Sequence, residues 1–352
     1  MPAFSALRAL LGVGLGFPSL AFTTRTAGGL GNGLTRVAVN PAGIWLIGGS
    51  TDSVSSDTYA ASSPDGNIWT ERTTPTFGTG LNAHGCNGIV WDGSLFYFMS
   101  SETSNWSVLT TAGEANLVDR PTTSGAISVR GFGFKDDGTN VFAVTTLSVM
   151  KSSPTAQTWT DRTLPQTPLP SVYGPKYGGG LFVQGGKKFT GDLSLNISTS
   201  PDAITWTARD FNSDAGSNYA AYNVATHTWC MVGDKILGDA SIATSPDGIT
   251  WTQRSNTFPG NDVSSALVAV AAVPTGFVAV GYQFNKPGFA SVYVPVIYFS
   301  EDNGVTWTED TGHPFFEDNN TQYNDIAYHA STGKIVIVGS EILINSRLVI
   351  SN

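Results

Sequence analysis

An all-β chain assembled from repeated units is what three features of this sequence predict. One phrase recurs almost verbatim: "SSPDGNIWTER" at 62–72, "TSPDAITWTAR" at 199–209 and "TSPDGITWTQR" at 244–254. Between the copies, short runs alternate apolar with small or polar residues and end at Gly, Asp or Pro, as half-buried antiparallel strands require. Finally, 40 glycines and only 13% charged residues among 352 suit many strands joined by tight turns and suit long helices badly. A chain of this length buries about 75% of its unfolded surface, so its core needs no staples.

The large apolar residue near the end of each phrase serves as a marker. Markers fall at Phe22, Trp69, Leu117, Trp159, Trp206, Trp251 and Trp307, in steps of 47, 48, 42, 47, 45 and 56 residues. A period of roughly 40–50 residues points to propeller blades of four strands each. Every unit reads alike: an apolar first strand ("RVAVN", "LVAVAAV"), a second ending in small residues ("WLIGG", "WCMVGD"), a third ("YAASS", "SIATS"), the turn, and a fourth ("ITWTQR"). After Trp307 the chain supplies only three strands, the last being "LVISN" at 348–352, while "SLAFTTR" at 19–25 has the character of a fourth strand. The expected architecture is therefore a seven-bladed β-propeller of four-stranded antiparallel blades over residues 19–352. Its ring would be closed by the N-terminal strand completing the last blade, which removes an open sheet edge.

Residues 1–18 read as a docking arm. Phe4, Leu7, Leu10 and Leu11 follow helical spacing until the glycines at 12, 14 and 16 end it. Arg8, the one basic residue, sits inside the apolar run, and no small-x-small site follows, unlike a secretory signal. No segment approaches the ~20 apolar residues of a membrane span. A formal charge of −9 would repel a phosphate backbone, so no nucleic-acid partner is expected. Cys86 and Cys230 read as small buried side chains. The histidines (His84, His227, His313, His329) lack ligand spacing, and "KDDGTN" at 135–140 lacks the rest of a calcium loop. No metal and no cofactor are expected.

The stretch "SEDNGVTW" at 300–307 resembles the S-x-D-x-G-x-T-W pattern of Asp-box (BNR-like) repeats, and "SPDGITW" and "SPDGNIW" are its shorter variants. The resemblance extends over about residues 19–352. Propellers of this kind include sialidases, photosystem assembly factors, glycan-binding modules and repeat proteins of bacteria and phages. It implies that the boxes lie on the rim, away from any ligand. Their residues have structural reasons: Asp65, Asp202, Asp247 and Asp302 can accept backbone N–H groups, and Gly66, Gly248 and Gly304 permit φ > 0. Trp69, Trp206, Trp251 and Trp307 can pack between blades. Arg25, Arg72, Arg120, Arg162, Arg209 and Arg254 each stand three residues after a marker, which suggests a fixed contact between blades.

A sialidase needs three arginines on a carboxylate, a tyrosine nucleophile with its carboxylate partner, and an acid. Outside the repeat only Arg8, Arg36, Arg130 and Arg347 remain, so no catalytic residue is assigned and the chain is expected not to be an enzyme. "SVMK" at 148–151 falls on a third strand. Function is expected on the face opposite the boxes, where the longest loops, 282–295 and 309–323, carry aromatics beside Asn, Asp and Lys, a mixture suited to sugars. Candidate ligand-binding residues are Trp106, Lys187, Lys188, Tyr282, Phe284, Tyr293, Phe315, Phe316 and Tyr323. The expected function is that of a non-catalytic virion-associated propeller, in a phage tail, fibre or decoration layer. It would bind a host-surface glycan or partner protein and dock on other virion proteins through its arm. The alternative is a sialidase-like or other glycan-cleaving hydrolase, secreted or at a cell surface. Acids and arginines converging at the channel mouth would separate the two.

Overall fold

The computed structural model describes residues 22–24, 33–50, 58–74, 84–101, 106–120, 129–135, 141–146, 149–165, 173–186, 195–211, 217–236, 239–254, 265–284, 292–313, 315, 321–341 and 346–351. The docking arm, Lys187, Lys188 and Phe316 lie outside them.

All regular structure among these residues is β. β1 (Phe22–Thr24) comes first in the chain. The first sheet is β2 (Gly33–Val39), β3 (Trp45–Ser50), β4 (Thr58–Ser63) and β5 (Thr70–Glu71). The second is β6 (His84–Trp91), β7 (Phe96–Ser101), β8 (Trp106–Thr111) and β9 (Val118–Arg120). The third is β10 (Val129–Lys135), β11 (Val141–Thr146), β12 (Met150–Ser153) and β13 (Thr160–Arg162). The fourth is β14 (Lys176–Gly178), β15 (Leu181–Gln184), β16 (Leu195–Ser200) and β17 (Thr207–Phe211). Then come β18 (Ser217–Asn223), β19 (Thr228–Ile236), β20 (Asp239–Ser245) and β21 (Thr252–Arg254), followed by β22 (Ala266–Val273), β23 (Gly276–Phe284), β24 (Tyr293–Ser300) and β25 (Thr308–Glu309). These eight form one sheet. β26 (Thr321–His329), β27 (Lys334–Glu341) and β28 (Ser346–Ser351) take β1 as their fourth strand, with Phe22 opposite Ser351.

Five four-stranded antiparallel sheets and one of eight thus replace the seven separate sheets expected. The reason is local: β19 runs on to Ile236, and a single bridge from Asp234 to Ala266 joins it to β22. This is a β-propeller fold. The first strand of each group touches the next: β2 meets β6, then β10, β14, β18, β22 and β26, and β26 returns to β2.

Packing follows from strand character. β22, "ALVAVAAV", is buried along almost its whole length because sheets cover both of its faces. Among the described residues, seven apolar clusters fill the spaces between neighbouring groups of strands. One joins Val280 and Ile297 to Ile326 and Ile337, and another joins Leu34 and Ile47 to Val336 and Val338. Each fully buried Val, Ile or Leu contributes about 1.5–3 kcal/mol before conformational entropy is counted. Most outermost strands are short, β5 and β25 having two residues each, which leaves little edge there for another chain to pair with. Cys86 and Cys230 are free thiols in this core.

Candidate functional site

The repeated phrase builds a turn whose polar groups satisfy one another. Asp247 Oδ1 accepts the backbone N–H groups of Ile249 (2.8 Å) and Thr250 (2.7 Å), while Ser245 Oγ donates to Asp247 and accepts the N–H of Gly248. Asp65, Asp202 and Asp302 repeat the pattern. Burial is the largest single influence on Asp65 and opposes ionisation, but the N–H groups of Asn67 and Ile68 with the side chains of Asn67 and Ser63 together outweigh it and hold the carboxyl down at about 2. Gly66, Gly248 and Gly304 have φ of 76°, 74° and 84°, the left-handed conformation that glycine adopts without strain. The rings of Trp69, Trp251 and Trp307 donate through Nε1 to the carbonyls of Gly66, Gly248 and Gly304 and pack into the clusters between sheets. Trp206 packs likewise, but its buried Nε1 has no acceptor among the described residues. The aspartates of these turns are thus spent on N–H groups of their own turns.

The trailing arginines correct an expectation. Arg72 Nε donates to Ser62 Oγ (2.7 Å), Arg162 to Ser152, Arg209 to Thr199 and Arg254 to Thr244. Each reaches from a fourth strand to the third strand of its own sheet rather than to a neighbouring blade, because the two strands are paired and the side chain leans across them. Lys151 of the "SVMK" stretch lies on the third strand β12 and pairs with Asp161 opposite.

The polar convergence lies elsewhere, where the innermost strands meet. In β2, β10, β18, β22 and β26 the pairing register slips by one residue, and β6 slips twice. A bulge of this kind re-aims the residues beside it. The residue that resumes pairing is Arg36, Gly88, Gly131, Tyr219, Ala269 or Asp325, so these six hold one equivalent place around the centre. Three are small and three carry chemistry. Four of the six, Arg36, Gly88, Tyr219 and Asp325, line one narrow hollow together with Lys176 and Tyr173, which precede or open β14.

Asp325 is buried, and its oxygens accept the N–H of Val37 on the adjacent sheet (3.1 Å) and of Ile326 (2.9 Å). Tyr219's hydroxyl is also bonded to it. Burial raises the Asp325 carboxyl above its usual range, against the downward pull of Arg36, Lys176 and the two N–H groups. Arg36 places its guanidinium 4.9 Å from the Tyr173 ring centre, donating Nε to Asn87 O (3.0 Å) and Nη1 to Thr35 O (2.6 Å). Lys176 Nζ stands 4.1 Å over the Tyr219 ring. Desolvation lowers the lysine to about 8, Asp325 opposing and Arg36 assisting. Desolvation first, then Asp325, holds the Tyr219 phenol well above its usual range, so it stays protonated and donating. Four groups of strands therefore contribute to one polar knot.

The ligand residues expected from sequence are distributed unequally. Tyr282, Phe284 and Tyr293 come together, Tyr293 lying 5.4 Å and 4.7 Å from the other two ring centres, all three half-buried. Because Tyr282 pairs with Ala266, at the start of β22, the trio lies at the same end of the sheets as the hollow. The Ser-x-Asp turns lie at the other end: Ser63 pairs with Trp45, which pairs with the last residue of β2. Phe315 packs against the core. Tyr323 is a correction: it is fully buried with its hydroxyl 3.0 Å from His313 Nδ1, because its place on β26 faces the neighbouring sheet. Trp106 opens β8 opposite Ser101. No cluster of three or more His, Cys, Asp or Glu suited to a metal occurs among the described residues, and none of their helices is long and apolar enough to cross a membrane.

The knot of Arg36, Lys176, Tyr173, Tyr219 and Asp325 was absent from the expected site. Its signal was present: aligning the first strands sets "TRV", "NGI", "RGF", "NYA", "VAV" and "NDI" in register. Their middle column is the one place where the repeat does not repeat in kind.

No family model matches this chain, and no curated protein matches it. Solved structures do. One titled "YCF48 bound to D1 peptide" superposes with a TM-score of 0.62 at 13% identity, covering 94% of each chain. A catalytically inactive virginiamycin B lyase from Staphylococcus aureus with quinupristin superposes at 0.65 and 11% identity, covering 94% of this chain and 99% of that one. A chain of the mitotic checkpoint complex superposes at 0.58 and 11%. These likenesses concern the fold alone. They also overturn the expectation that the chain is not an enzyme: a lyase shares this fold at the same level of likeness, so the architecture gives no ground for excluding catalysis.

Proposed function

We propose that the chain is a seven-bladed, closed Asp-box propeller that recognises a host-surface glycan or partner protein through the face onto which the central hollow opens, as a virion-associated protein of phage type. Counting the eight-stranded sheet as two blades linked by one bridge gives seven. The ring of first-strand contacts, the seven clusters between strand groups and the β1–β28 pairing support that count. The Gly/Ser/Thr-rich, lysine-poor composition and the mutually similar repeat units support the phage setting.

The observation that carries the recognition reading is geometric. The cationic, tyrosine-walled hollow and the Tyr282–Phe284–Tyr293 cluster share one end of the sheets, opposite the turns that consume their own polar groups. The neighbour solved with a peptide bound adds that a propeller of this shape can serve as a docking platform. A glycan-cleaving activity is the second reading, favoured by one feature: a tyrosine hydroxyl bonded to a buried carboxylate beside a guanidinium.

The test is binding of the purified chain to candidate host bacteria and their isolated surface glycans while released sugar is monitored. Saturable binding without release supports recognition. Release of sugar, lost in Tyr219→Phe, moves the assignment to the hydrolase. No binding to cells, glycans or virion proteins defeats both.

A further inference from the structure

We infer that the central hollow receives one carboxylate group of an acidic glycan, held between Arg36 and Lys176. This rests on the recognition reading above and names the chemistry its ligand must carry.

The argument is one of unspent donors. Asp325 is already engaged by three donors, the Val37 and Ile326 N–H groups and the Tyr219 hydroxyl, none of them from Arg36 or Lys176. Arg36 spends Nε and Nη1 on main-chain carbonyls and leaves Nη2 without an acceptor among the described residues. Lys176 has no hydrogen bond or ion pair among them; its ammonium lies over the face of Tyr219 and feels the nearby Asp325 only through space. Two cations from two different sheets thus face a cavity with donors to spare. Such groups call for an anion, because unpaired donors in a desolvated site are costly.

Charge and size choose which anion. Arg36 and Lys176 outnumber Asp325 by one, so a monoanion balances the site and a dianion would be repelled by Asp325. A flat guanidinium edge beside a compact ammonium matches a carboxylate's two oxygens. The hollow is narrow and open to solvent on one side, so at most a small terminal group enters it while the rest of the ligand stays outside. Outside, at the same end of the sheets, stand the three rings at 282, 284 and 293, which suit the C–H face of a sugar ring better than a charged peptide.

The experiment compares an oligogalacturonate with its methyl ester, which keeps the sugar and removes the charge, on wild type, Lys176→Met and Lys176→Arg. The acid should bind wild type at least about tenfold tighter than the ester, the size of one charge-assisted bond. Lys176→Met should lose that preference while binding the ester unchanged, and Lys176→Arg should keep it. Raising the pH through about 8 should weaken wild-type binding of the acid but not that of Lys176→Arg. The groups facing Lys176 are Arg36 on β2, Asp325 on β26, Tyr219 on β18 and the nearby Tyr173. Arg36 keeps its charge across that range, and Tyr219 titrates above it. Should Lys176→Met fail to fold, the pH series on the other two proteins decides. Equal binding of acid and ester overturns the carboxylate site and leaves recognition standing. Competition by an acidic peptide as strong as by the acid overturns the glycan assignment. Failure of every glycan and of host cells to bind removes both.

Discussion

The rim turns and the central hollow use the same residue types to opposite ends. In a turn such as 245–251, the carboxylate of Asp247 is spent on N–H groups two and three residues away, so the charge is consumed by its own peptide. In the hollow, Asp325 takes its N–H from Val37, nearly three hundred residues away in sequence, and Arg36 reaches across to Asn87. Local satisfaction makes a part that can be copied from blade to blade. Satisfaction from neighbouring sheets makes a part that exists once and couples the sheets that supply it. A repeated phrase therefore marks scaffold, and a broken column within a repeat marks the place to look for function.

The largest expected effect breaks the hollow. Asp325→Ala removes the acceptor of the buried Val37 N–H and leaves Arg36 and Lys176 facing each other. Urea unfolding should show a loss of about 3 kcal/mol or more. Asp247→Ala, whose donors turn to water, should lose only about 1–2 kcal/mol. Equal losses would erase the distinction between spent and shared charge.

Acid and base should separate the two regions next. Asp65, Asp202, Asp247 and Asp302 are all lowered in the folded chain, so their contribution is complete above the ordinary carboxylate range and is lost as pH falls below about 4, that of Asp65 by about 2. Lys176 has the opposite sign. Lowered to about 8, it carries a penalty when charged, and stability should rise as pH climbs from about 8 toward the ordinary lysine value. Unfolding midpoints across both windows measure this, and in Lys176→Met the alkaline rise should vanish while the acid loss remains.

The repeat and its strand pattern exposed the fold because periodicity survives in one dimension: marker spacing, Gly at left-handed turns and alternating strands are all local. The count of separate sheets did not follow, since the Asp234–Ala266 bridge depends on how far β19 runs before bending, which no motif records. The aromatic trio was legible as rings in one long loop. Tyr323 was misjudged because strand parity, rather than loop length, decides which way it faces. The knot of Arg36, Lys176, Tyr219 and Asp325 is spread over four groups of strands, and three of its four residues resume pairing after a register slip.

Smaller effects probe the turns themselves. Gly248→Ala adds a Cβ that would lie 3.1 Å from Trp229 Nε1 at a φ of 74°, and should cost about 1–2 kcal/mol. Ala203 already holds the same place at φ 58°, fully buried against Phe182 and Trp206, where no tryptophan opens the second strand. Ala203→Gly exchanges left-handed strain of about 1 kcal/mol for a buried methyl of about 0.8, so its effect should be near zero. A large loss there would show that the turns are not equivalent in backbone.

The finest distinction within the turns is one hydrogen bond. Trp206 and Trp251 are both marker residues and are buried alike, at 6% and 9% exposure. Trp251 Nε1 donates to Gly248 O at 3.0 Å, whereas Trp206 Nε1 lacks an acceptor among the described residues. Substitution by Phe removes a similar area at each site, so the packing loss largely cancels between them. What remains is the bond. Trp251→Phe should therefore be less stable than Trp206→Phe by about 1 kcal/mol, because the second variant also discards a buried donor that gained nothing. Equal unfolding free energies would mean that the marker tryptophans act through their ring area alone, and that the turn is held by its aspartate and hydroxyl without help from the indole.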